Sequence, residues 1–180
     1  MKIVVITGSA RKKGTSNYLA EEFIRGAEMV GNKVYRFDTA YKSINPCIGC
    51  NACRKSFKCI YDDAFNEIGK EMVSADEIVW VTPVYFMTMT AQLKVAIDRM
   101  YQLETQKGFR GNKKYIIIST AWDSNPEVFN ILVQTIDSFC NFLKWRKIGQ
   151  LLAGGVDSRE QIIETSFGKD AFNLGLNQKP

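Results

Sequence analysis

The sequence predicts a single α/β domain in which helices cover both faces of a parallel sheet. Short apolar, β-branched segments alternate along the chain with longer segments of helical periodicity. Strands that alternate with helices need crossover connections, which make neighbouring strands parallel. The segment Lys2–Thr7 is a near-continuous apolar run, as in a strand buried on both faces. The chain has 180 residues, the length of one domain, so we predict one doubly wound domain spanning residues 1–180.

Five strands and five helices are expected in alternation. The strands are predicted at residues 2–7, 33–38, 77–82, 114–120 and 146–153. The helices are predicted at residues 16–30, from 62 or 63 to 73, 91–103, 126–143 and 158–174. Residues 8–15 form a small, polar loop, and residues 39–60 form an irregular segment.

Local sequence features predict the strands and the helix in the first half of the chain. The first strand ends at Gly8. Leu19, Phe23 and Ala27 recur at helical spacing, and Gly31 ends that helix. The second strand alternates between polar and apolar residues, as a strand with one exposed face does.

Similar sequence features predict the elements in the second half of the chain. Pro83 stops the third strand, because proline lacks the N–H group that a strand ladder uses. Leu93, Ile97 and Met100 share one face of the helix that follows. Pro126 opens the next helix after a polar cap.

Composition narrows the possible functions. The net charge is +5, from 24 basic and 19 acidic residues, without the dense basic stripe of a nucleic-acid binder. There is no histidine, which removes the commonest general base and the commonest metal ligand. No apolar run approaches the roughly 20 residues of a transmembrane helix, and the brief apolar start does not predict a signal peptide. We therefore expect a cytoplasmic protein without nucleic-acid or membrane partners.

The loop after the first strand has the composition of an anion-binding site. Its candidate ligands are Ser9, Arg11, Thr15, Ser16 and Asn17. Backbone N–H groups at a helix start carry a partial positive charge, and an arginine adds a forked donor. The loop is neither a Walker A loop nor a dinucleotide fingerprint, since five residues separate Gly8 from Gly14 and position 10 is alanine. A capped loop without a ligand is the alternative.

Aromatic and sulfur-containing side chains fill the loop after the third strand. This segment comprises Pro83, Val84, Tyr85, Phe86 and Met87. Open parallel sheets bind ligands at the carboxyl ends of their strands, where this loop would present a flat apolar surface to a planar ring. The alternative is an apolar patch that packs on another subunit, and both interpretations can hold together.

Taken in order, these two loops resemble those of the NAD(P)H-dependent FMN reductases and multimeric flavodoxin-like oxidoreductases. The matching segments are Gly8-Ser9-x-Arg11-x-x-x-Thr15-Ser16-Asn17, Pro83-Val84-Tyr85-Phe86 and Thr90-Ala91-Gln92-Leu93-Lys94-x-x-Ile97-Asp98-Arg99. The likeness covers roughly residues 2–175. It implies a flavodoxin-like fold with strand order 2-1-3-4-5, bound FMN, NAD(P)H as hydride donor, and a homodimer or homotetramer.

The same resemblance assigns roles to individual residues. It implies that the polar residues of the first loop hold the FMN phosphate and that residues 83–87 line the isoalloxazine ring. Thr120, Ala121 and Trp122, which end and follow the fourth strand, would close the far side of the ring. Many relatives have glycine where this chain has Met87, so the methionine would narrow access to the ring.

Four of the five cysteines are clustered in the segment after the second strand. They are Cys47, Cys50, Cys53 and Cys59. Four thiolates this close can surround a [4Fe–4S] cluster, and their spacing resembles that of iron–sulfur flavoproteins. Free thiols that pack or form a disulfide on oxidation are one alternative, and tetrahedral zinc is another. Cys140 lies on the apolar face of a predicted helix and is interpreted as a core residue.

The leading hypothesis is an FMN-dependent oxidoreductase that takes a hydride from NAD(P)H and reduces a small acceptor such as a quinone, a nitro compound or free flavin. The cofactor supplies the chemistry, so no catalytic side chain is required. The first alternative is an iron–sulfur flavoprotein that passes single electrons between a [4Fe–4S] cluster and FMN, with a ferredoxin-like protein as partner. The second is a zinc-stabilised binding domain without redox activity.

Overall fold

The computed structural model describes residues 1–179 as a five-stranded parallel sheet of order β2-β1-β3-β4-β5. The strands are β1 (Lys2–Thr7), β2 (Lys33–Asp38), β3 (Glu77–Pro83), β4 (Lys114–Thr120) and β5 (Arg146–Ala153). Pro180, the last residue of the predicted domain, lies outside the described residues. The predicted fold class and strand order are confirmed.

Seven α-helices connect or follow the strands in the part of the chain that the structure describes. They are α1 (Thr15–Met29), α2 (Ala52–Ser56), α3 (Phe65–Ser74), α4 (Ala91–Arg99), α5 (Asn130–Phe142), α6 (Arg159–Ile163) and α7 (Phe167–Leu176). Three short 3-10 segments lie at Thr39–Tyr41, Met100–Gln102 and Pro126–Phe129.

The sheet separates two apolar cores, as a doubly wound fold requires. Alternate residues of each strand face opposite sides. Val4 and Trp80 belong to the core under α3, α4 and α5. Ile3 and Val79 belong to the core under α1, α6 and α7. The central strands are therefore buried on both faces, which explains their continuous apolar runs.

Several predicted bounds need correction. The segment 39–60 is not wholly irregular, because it contains α2 and a 3-10 turn. The predicted helix 158–174 is two helices, since the Thr165 hydroxyl accepts the Phe167 N–H and starts a new helix there. The predicted helices 91–103 and 126–143 each include a 3-10 segment at one end. Pro83 belongs to β3, where it pairs with Thr120.

Two glycines let α1 and α7 approach each other closely. A Cβ atom at Gly26 of α1 would lie 2.1 Å from the Phe172 carbonyl oxygen. A Cβ atom at Gly175 of α7 would lie 2.2 Å from the Phe23 carbonyl oxygen. The backbones of the two helices are therefore in contact at these glycines, where there is no room for a side chain. This contact fixes the position of α1 relative to α7.

The described residues, 1–179, contain no helix with the length and apolar character needed to span a membrane.

Candidate functional site

The carboxyl ends of four strands meet around one cavity of about 100 Å³, which we call the loop cavity. Its lining comes from the loops after β1, β3, β4 and β5: Ser9, Arg11, Gly14, Thr15, Ser16, Pro83, Val84, Tyr85, Thr120, Ala121, Trp122, Val156 and Asp157. The structure thus brings the first and third loops to the same edge of the sheet. Among the predicted cofactor residues, those that do not line this cavity are Asn17, Phe86 and Met87.

The loop cavity contains the amino end of α1. Gly14 precedes the helix without a side-chain cap, so the first N–H groups of α1 have no intrahelical acceptor. The Gly14 N–H donates to the Arg11 carbonyl at 2.8 Å and closes a tight turn. A Cβ atom at Gly14 would lie 3.0 Å from both the Cβ atom and the carbonyl oxygen of Arg11. The loop is therefore compact and presents backbone donors, which suits an anion.

Buried hydroxyl groups surround these donors. Thr120 Oγ1 lies 2.9 Å from Thr15 Oγ1 and 2.7 Å from Ser16 Oγ, and either member of each pair can donate. These bonds tie the first turn of α1 to the end of β4. Ser9 is also buried, and its Oγ accepts the Arg11 N–H at 3.3 Å. A neutral hydroxyl lining of this kind can donate to an anion without adding charge.

The Asn17 side chain supports the loop from behind. Its Nδ2 donates to the Arg11 carbonyl at 2.8 Å, and its Oδ1 accepts from Arg36 Nη2 at 3.1 Å. Arg36 in turn donates to Asp38 at 2.8 Å. This chain of bonds connects β2 to the first loop, so the Asn17 amide is committed to shaping that loop. Its predicted contact with a phosphate stays a prediction.

Three residues of the loop cavity were not among the predicted site residues: Gly14, Val156 and Asp157. Val156 and Asp157 follow β5, and Arg11 Nη1 lies 3.2 Å from Asp157 Oδ1 across the mouth of the cavity. Both partners of this ion pair are largely exposed. Parallel topology was the available signal, because the loop after the fifth strand must reach the same edge as the others.

The turn after β3 is tight and has an unusual backbone. Tyr85 and Thr88 exchange backbone hydrogen bonds of 2.8 and 3.1 Å across it. The two residues between them, Phe86 and Met87, have φ values of 46° and 66°. The Phe86 side chain is fully exposed and that of Met87 is half-exposed. The turn therefore projects two large apolar side chains into solvent beside the cavity.

A direct contact fixes the first and third loops relative to each other. Thr90, the cap of α4, donates its hydroxyl to the Gly8 carbonyl at 2.8 Å. A Cβ atom at Gly8 would lie 2.5 Å from that hydroxyl oxygen. Glycine at position 8 therefore allows the turn after β1 to pack against the start of α4.

A second cavity is lined by all four clustered cysteines, and we call it the thiol cavity. Its lining comprises Cys47, Ile48, Cys50, Asn51, Cys53, Cys59, Ile60, Tyr61, Arg99, Tyr101 and Gln102. Cys47 and Cys50 are exposed, whereas Cys53, on α2, is buried. Burial raises the pKa of the Cys53 thiol, and the neighbouring Cys59 raises it further. All four thiols are free of disulfide bonds.

The segment that carries these cysteines is closed at its base by a buried ion pair. Asp63 Oδ2 accepts from Arg99 Nη1 at 2.7 Å and from the Asn45 N–H at 2.9 Å. Arg99 Nη1 also donates to the Asn45 carbonyl at 2.9 Å. Burial alone would raise the pKa of Asp63, but the hydrogen bonds from Arg99 and Asn45 outweigh it and lower that pKa. Asn45 and Asp63 flank the cysteine segment, so these three residues clasp its two ends together.

The loop cavity and the thiol cavity share no lining residue. Helix α4 connects them, since its cap contacts the first loop and its last residue, Arg99, lines the thiol cavity. The nine residues from Ala91 to Arg99 span eight steps of the helix, a rise of roughly 12 Å. Within residues 1–179, no three His, Cys, Asp or Glu side chains converge closely enough to hold one metal ion.

A parallel sheet in the order 2-1-3-4-5, with a cavity at the carboxyl ends of its strands, defines a flavodoxin-like protein. Residues 1–152 match the family of NADPH-dependent FMN reductases, and the chain belongs to that family.

Comparisons with individual proteins agree with this family assignment. An iron–sulfur flavoprotein of Methanocaldococcus jannaschii is 37% identical over 99% of this chain and 87% of its own length. A second iron–sulfur flavoprotein of that organism is 40% identical over 55% of this chain, and the match spans only about half, 51%, of that relative. The solved NAD(P)H:quinone oxidoreductase from Methanothermobacter marburgensis superposes with a TM-score of 0.77 at 15% identity, covering 98% of this chain and 96% of its own. At that identity the likeness concerns the fold.

Proposed function

We propose that the loop cavity binds FMN with the phosphate at the amino end of α1. The observation that carries this proposal is the convergence of uncapped helix N–H groups, buried hydroxyls and Arg11 on one cavity. Ser9, Thr15 and Ser16 would donate to the phosphate, and Arg11 would exchange its ion pair with Asp157 for one with the phosphate. The cavity of about 100 Å³ accommodates the phosphate end rather than the whole cofactor.

The isoalloxazine ring would lie over the rim of the loop cavity. Pro83, Val84 and Tyr85 line it from β3, and Thr120, Ala121 and Trp122 line it from β4. Tyr85 and Trp122 are exposed, so an apolar ring can cover them and remove their surface from water. Phe86 and Met87 would border the outer edge of the ring. Bound FMN would supply hydride and single-electron chemistry, while the chain binds and orients it.

We further propose NAD(P)H as the hydride donor and a small molecule, such as a quinone, a nitro compound or free flavin, as the acceptor. The absence of histidine from the chain agrees with chemistry that needs no side-chain acid or base. The exposed Phe86 and Met87 side chains are suited to contact a second subunit, so we expect a homodimer or homotetramer. The quinone oxidoreductase with the same fold provides a precedent for this acceptor class.

The phosphate assignment is tested with the double substitution Ser9→Ala, Arg11→Ala. We expect FMN binding to weaken by about 2–4 kcal/mol, because one charged and one neutral hydrogen bond are lost. Riboflavin lacks the phosphate, so its affinity should not change. Both affinities follow from quenching of flavin fluorescence during titration of the apoprotein.

Lys12→Ala is the matched control for that experiment. Lys12 lies in the same loop and carries the same charge as Arg11, but it contacts the Tyr41 ring, 5.2 Å from its centroid, and does not line the cavity. It should change FMN affinity little. Equal losses in the control and the double variant would indicate a general charge effect rather than a phosphate site.

A second candidate function is an iron–sulfur flavoprotein that exchanges single electrons between a [4Fe–4S] cluster and FMN, with a ferredoxin-like protein as partner. The observation that favours it is the thiol cavity, where four cysteines share one lining. In a four-iron cluster each thiolate binds a different iron, so the sulfurs need not converge on one point as around zinc. The cavity encloses only about 20 Å³, so the exposed Cys47 and Cys50 would have to spread outward. Both relatives reported above are named for such centres.

The visible spectrum of anaerobically purified protein separates the two candidates. Flavin bands alone support the reductase, and additional broad absorption with matching iron and sulfide content supports the cluster. Cys50→Ala should remove the broad absorption and retain the flavin bands. Cys140→Ala alters a buried thiol on α5 outside the thiol cavity and should retain both. Protein that cannot be reconstituted with FMN would contradict both candidates.

A further inference from the structure

A buried arginine with a spare donor lines the thiol cavity. Arg99 is only 2% exposed, and its Nε has no hydrogen-bond partner among the described residues. Buried polar groups are nearly always paired, and an unpaired one needs an explanation. Arg99 also lines the cavity of the four cysteines, so a ligand held in that cavity is a candidate partner for the spare N–H.

The other contacts of Arg99 leave this donor free. Nη1 donates to Asp63 and to the Asn45 carbonyl, and Nη2 donates to Gln102 Oε1 at 3.4 Å. Asp63 pairs with Arg99 but does not line the thiol cavity, whereas Arg99 does. The cationic member of the pair is thus the one that borders the thiols.

The charges around the cavity favour an anionic occupant. Four thiolates carry four negative charges, and a [4Fe–4S] core with two positive charges leaves a net charge of minus two. Arg54, the other arginine near the cysteines, does not line the thiol cavity, pairs with Glu104 and stacks 3.9 Å from the Tyr101 ring centroid. Arg99 is also paired, with Asp63, but Arg99 lines the cavity and Asp63 does not. Arg99 is therefore the buried cation in position to offset part of that negative charge.

We propose that Arg99 is the positioning residue of a thiolate-bound [4Fe–4S] cluster: it clasps the ends of the cysteine segment and stabilises the cluster's reduced state. The inference rests on the second candidate function. One-electron reduction adds one negative charge to the cluster, which the buried guanidinium stabilises. Arg99 should consequently raise the midpoint potential.

The test uses the full-length chain, reconstituted anaerobically with ferrous iron and sulfide and then reduced stepwise with dithionite. Asp63→Asn removes the carboxylate charge while an amide oxygen still accepts from Asn45, so the midpoint potential should shift to a more positive value. Adding Arg99→Met in that background removes the cation without leaving an unpaired carboxylate. The double variant should have a midpoint potential more negative than that of the unmodified protein.

Iron and sulfide content, circular dichroism and FMN affinity are measured on the same samples. Arg99→Lys keeps the charge and should keep the midpoint potential near that of the unmodified protein. A fully loaded double variant with an unchanged or more positive potential overturns the inference alone. If the double variant does not fold, the absence of a positive shift in Asp63→Asn overturns it. Unmodified protein that binds FMN but takes up no iron overturns both this inference and the second candidate, and leaves the FMN proposal standing.

Discussion

Phe86 and Met87 adopt the left-handed backbone conformation that favours glycine, with φ values of 46° and 66°. A side chain at such a position costs roughly 1–2 kcal/mol. Because the turn borders the loop cavity, this strain lies where we propose that the flavin ring binds. The surrounding hydrogen bonds between Tyr85 and Thr88 hold the turn in place.

Met87→Gly should therefore stabilise the protein. We expect a gain of up to about 1 kcal/mol in the free energy of unfolding, since relief of strain exceeds the added entropy of the unfolded chain. Urea denaturation measures it. Thr88→Gly is the control, because Thr88 does not have a positive φ and glycine there should cost about 0.5–1 kcal/mol. Equal losses in both variants would show that Met87 is not strained.

Candidate site residues could be proposed from the sequence only where their chemistry is local. The polar residues of the first loop and the apolar and aromatic residues after β3 directly follow predicted strands, so their positions at the ligand edge could be read from the sequence. Most of them line the loop cavity. The ion pair of Arg11 with Asp157 joins residues 146 positions apart, so no local pattern reveals it. The bracing role of Asn17 likewise depends on Arg36 from another strand.

At the scale of elements, the contact between α1 and α7 depends on the absence of two side chains. Gly26→Ala should lower the free energy of unfolding by about 1–3 kcal/mol, despite the better helix propensity of alanine, because its Cβ atom would meet the Phe172 backbone. Thermal or urea unfolding measures the loss.

Gly69→Ala in α3 is the matched control for that prediction. Its Cβ atom would lie 3.2 Å from the end of the flexible Leu103 side chain, which can move. We expect an unchanged stability or a gain of up to about 1 kcal/mol from helix propensity. If Gly26→Ala were equally harmless, the two helices would not be in the contact described.

The sequence predicts the bounds of the strands better than those of the helices. Strands buried on both faces appear as unbroken β-branched runs, so four of the five predicted strands have the observed bounds. Helix ends are decided by competing local hydrogen bonds, such as the one that the Phe167 N–H donates to the Thr165 hydroxyl oxygen between α6 and α7. Helix α2 has five residues, too few for a periodic pattern to identify.

At the scale of the whole molecule, one buried carboxyl group makes stability depend on pH. Glu77, at the start of β3, is fully buried, and neither of its carboxyl oxygens has a hydrogen-bond partner among the described residues. Burial raises its pKa from 4.5 to about 7, with Lys114 opposing the shift and Asp76 adding to it. Between these values the folded protein binds a proton that the unfolded chain releases, so stability falls as pH rises.

Glu77→Gln should remove this pH dependence. Its stability should equal that of the unmodified protein below about pH 4.5 and exceed it by about 3 kcal/mol above about pH 7, from a shift of roughly 2.5 pKa units. Urea titrations at several pH values measure the difference. Glu28→Gln on the exposed side of α1 should leave the pH profile unchanged. Parallel profiles for Glu77→Gln and the unmodified protein would contradict the assignment.

The parallel sheet with helices on both faces was predictable because alternating strands and helices allow few topologies, whereas the strand order was predicted from the family resemblance. The sequence does not reveal that α4 connects the loop cavity to the thiol cavity, because this follows from packing between distant segments. The contacts among Asn45, Asp63 and Arg99 could not be predicted either, because they join residues that are far apart in the sequence.

The glycine contact between α1 and α7 also bears on the order in which the protein is built. Residues 167–176 are made after all five strands, yet they cover the helix whose first turn forms the proposed phosphate site. During synthesis α1 therefore stays partly uncovered until α7 has left the ribosome. The nascent chain should thus acquire the proposed flavin binding only after α7 has emerged, when its sheet has already formed.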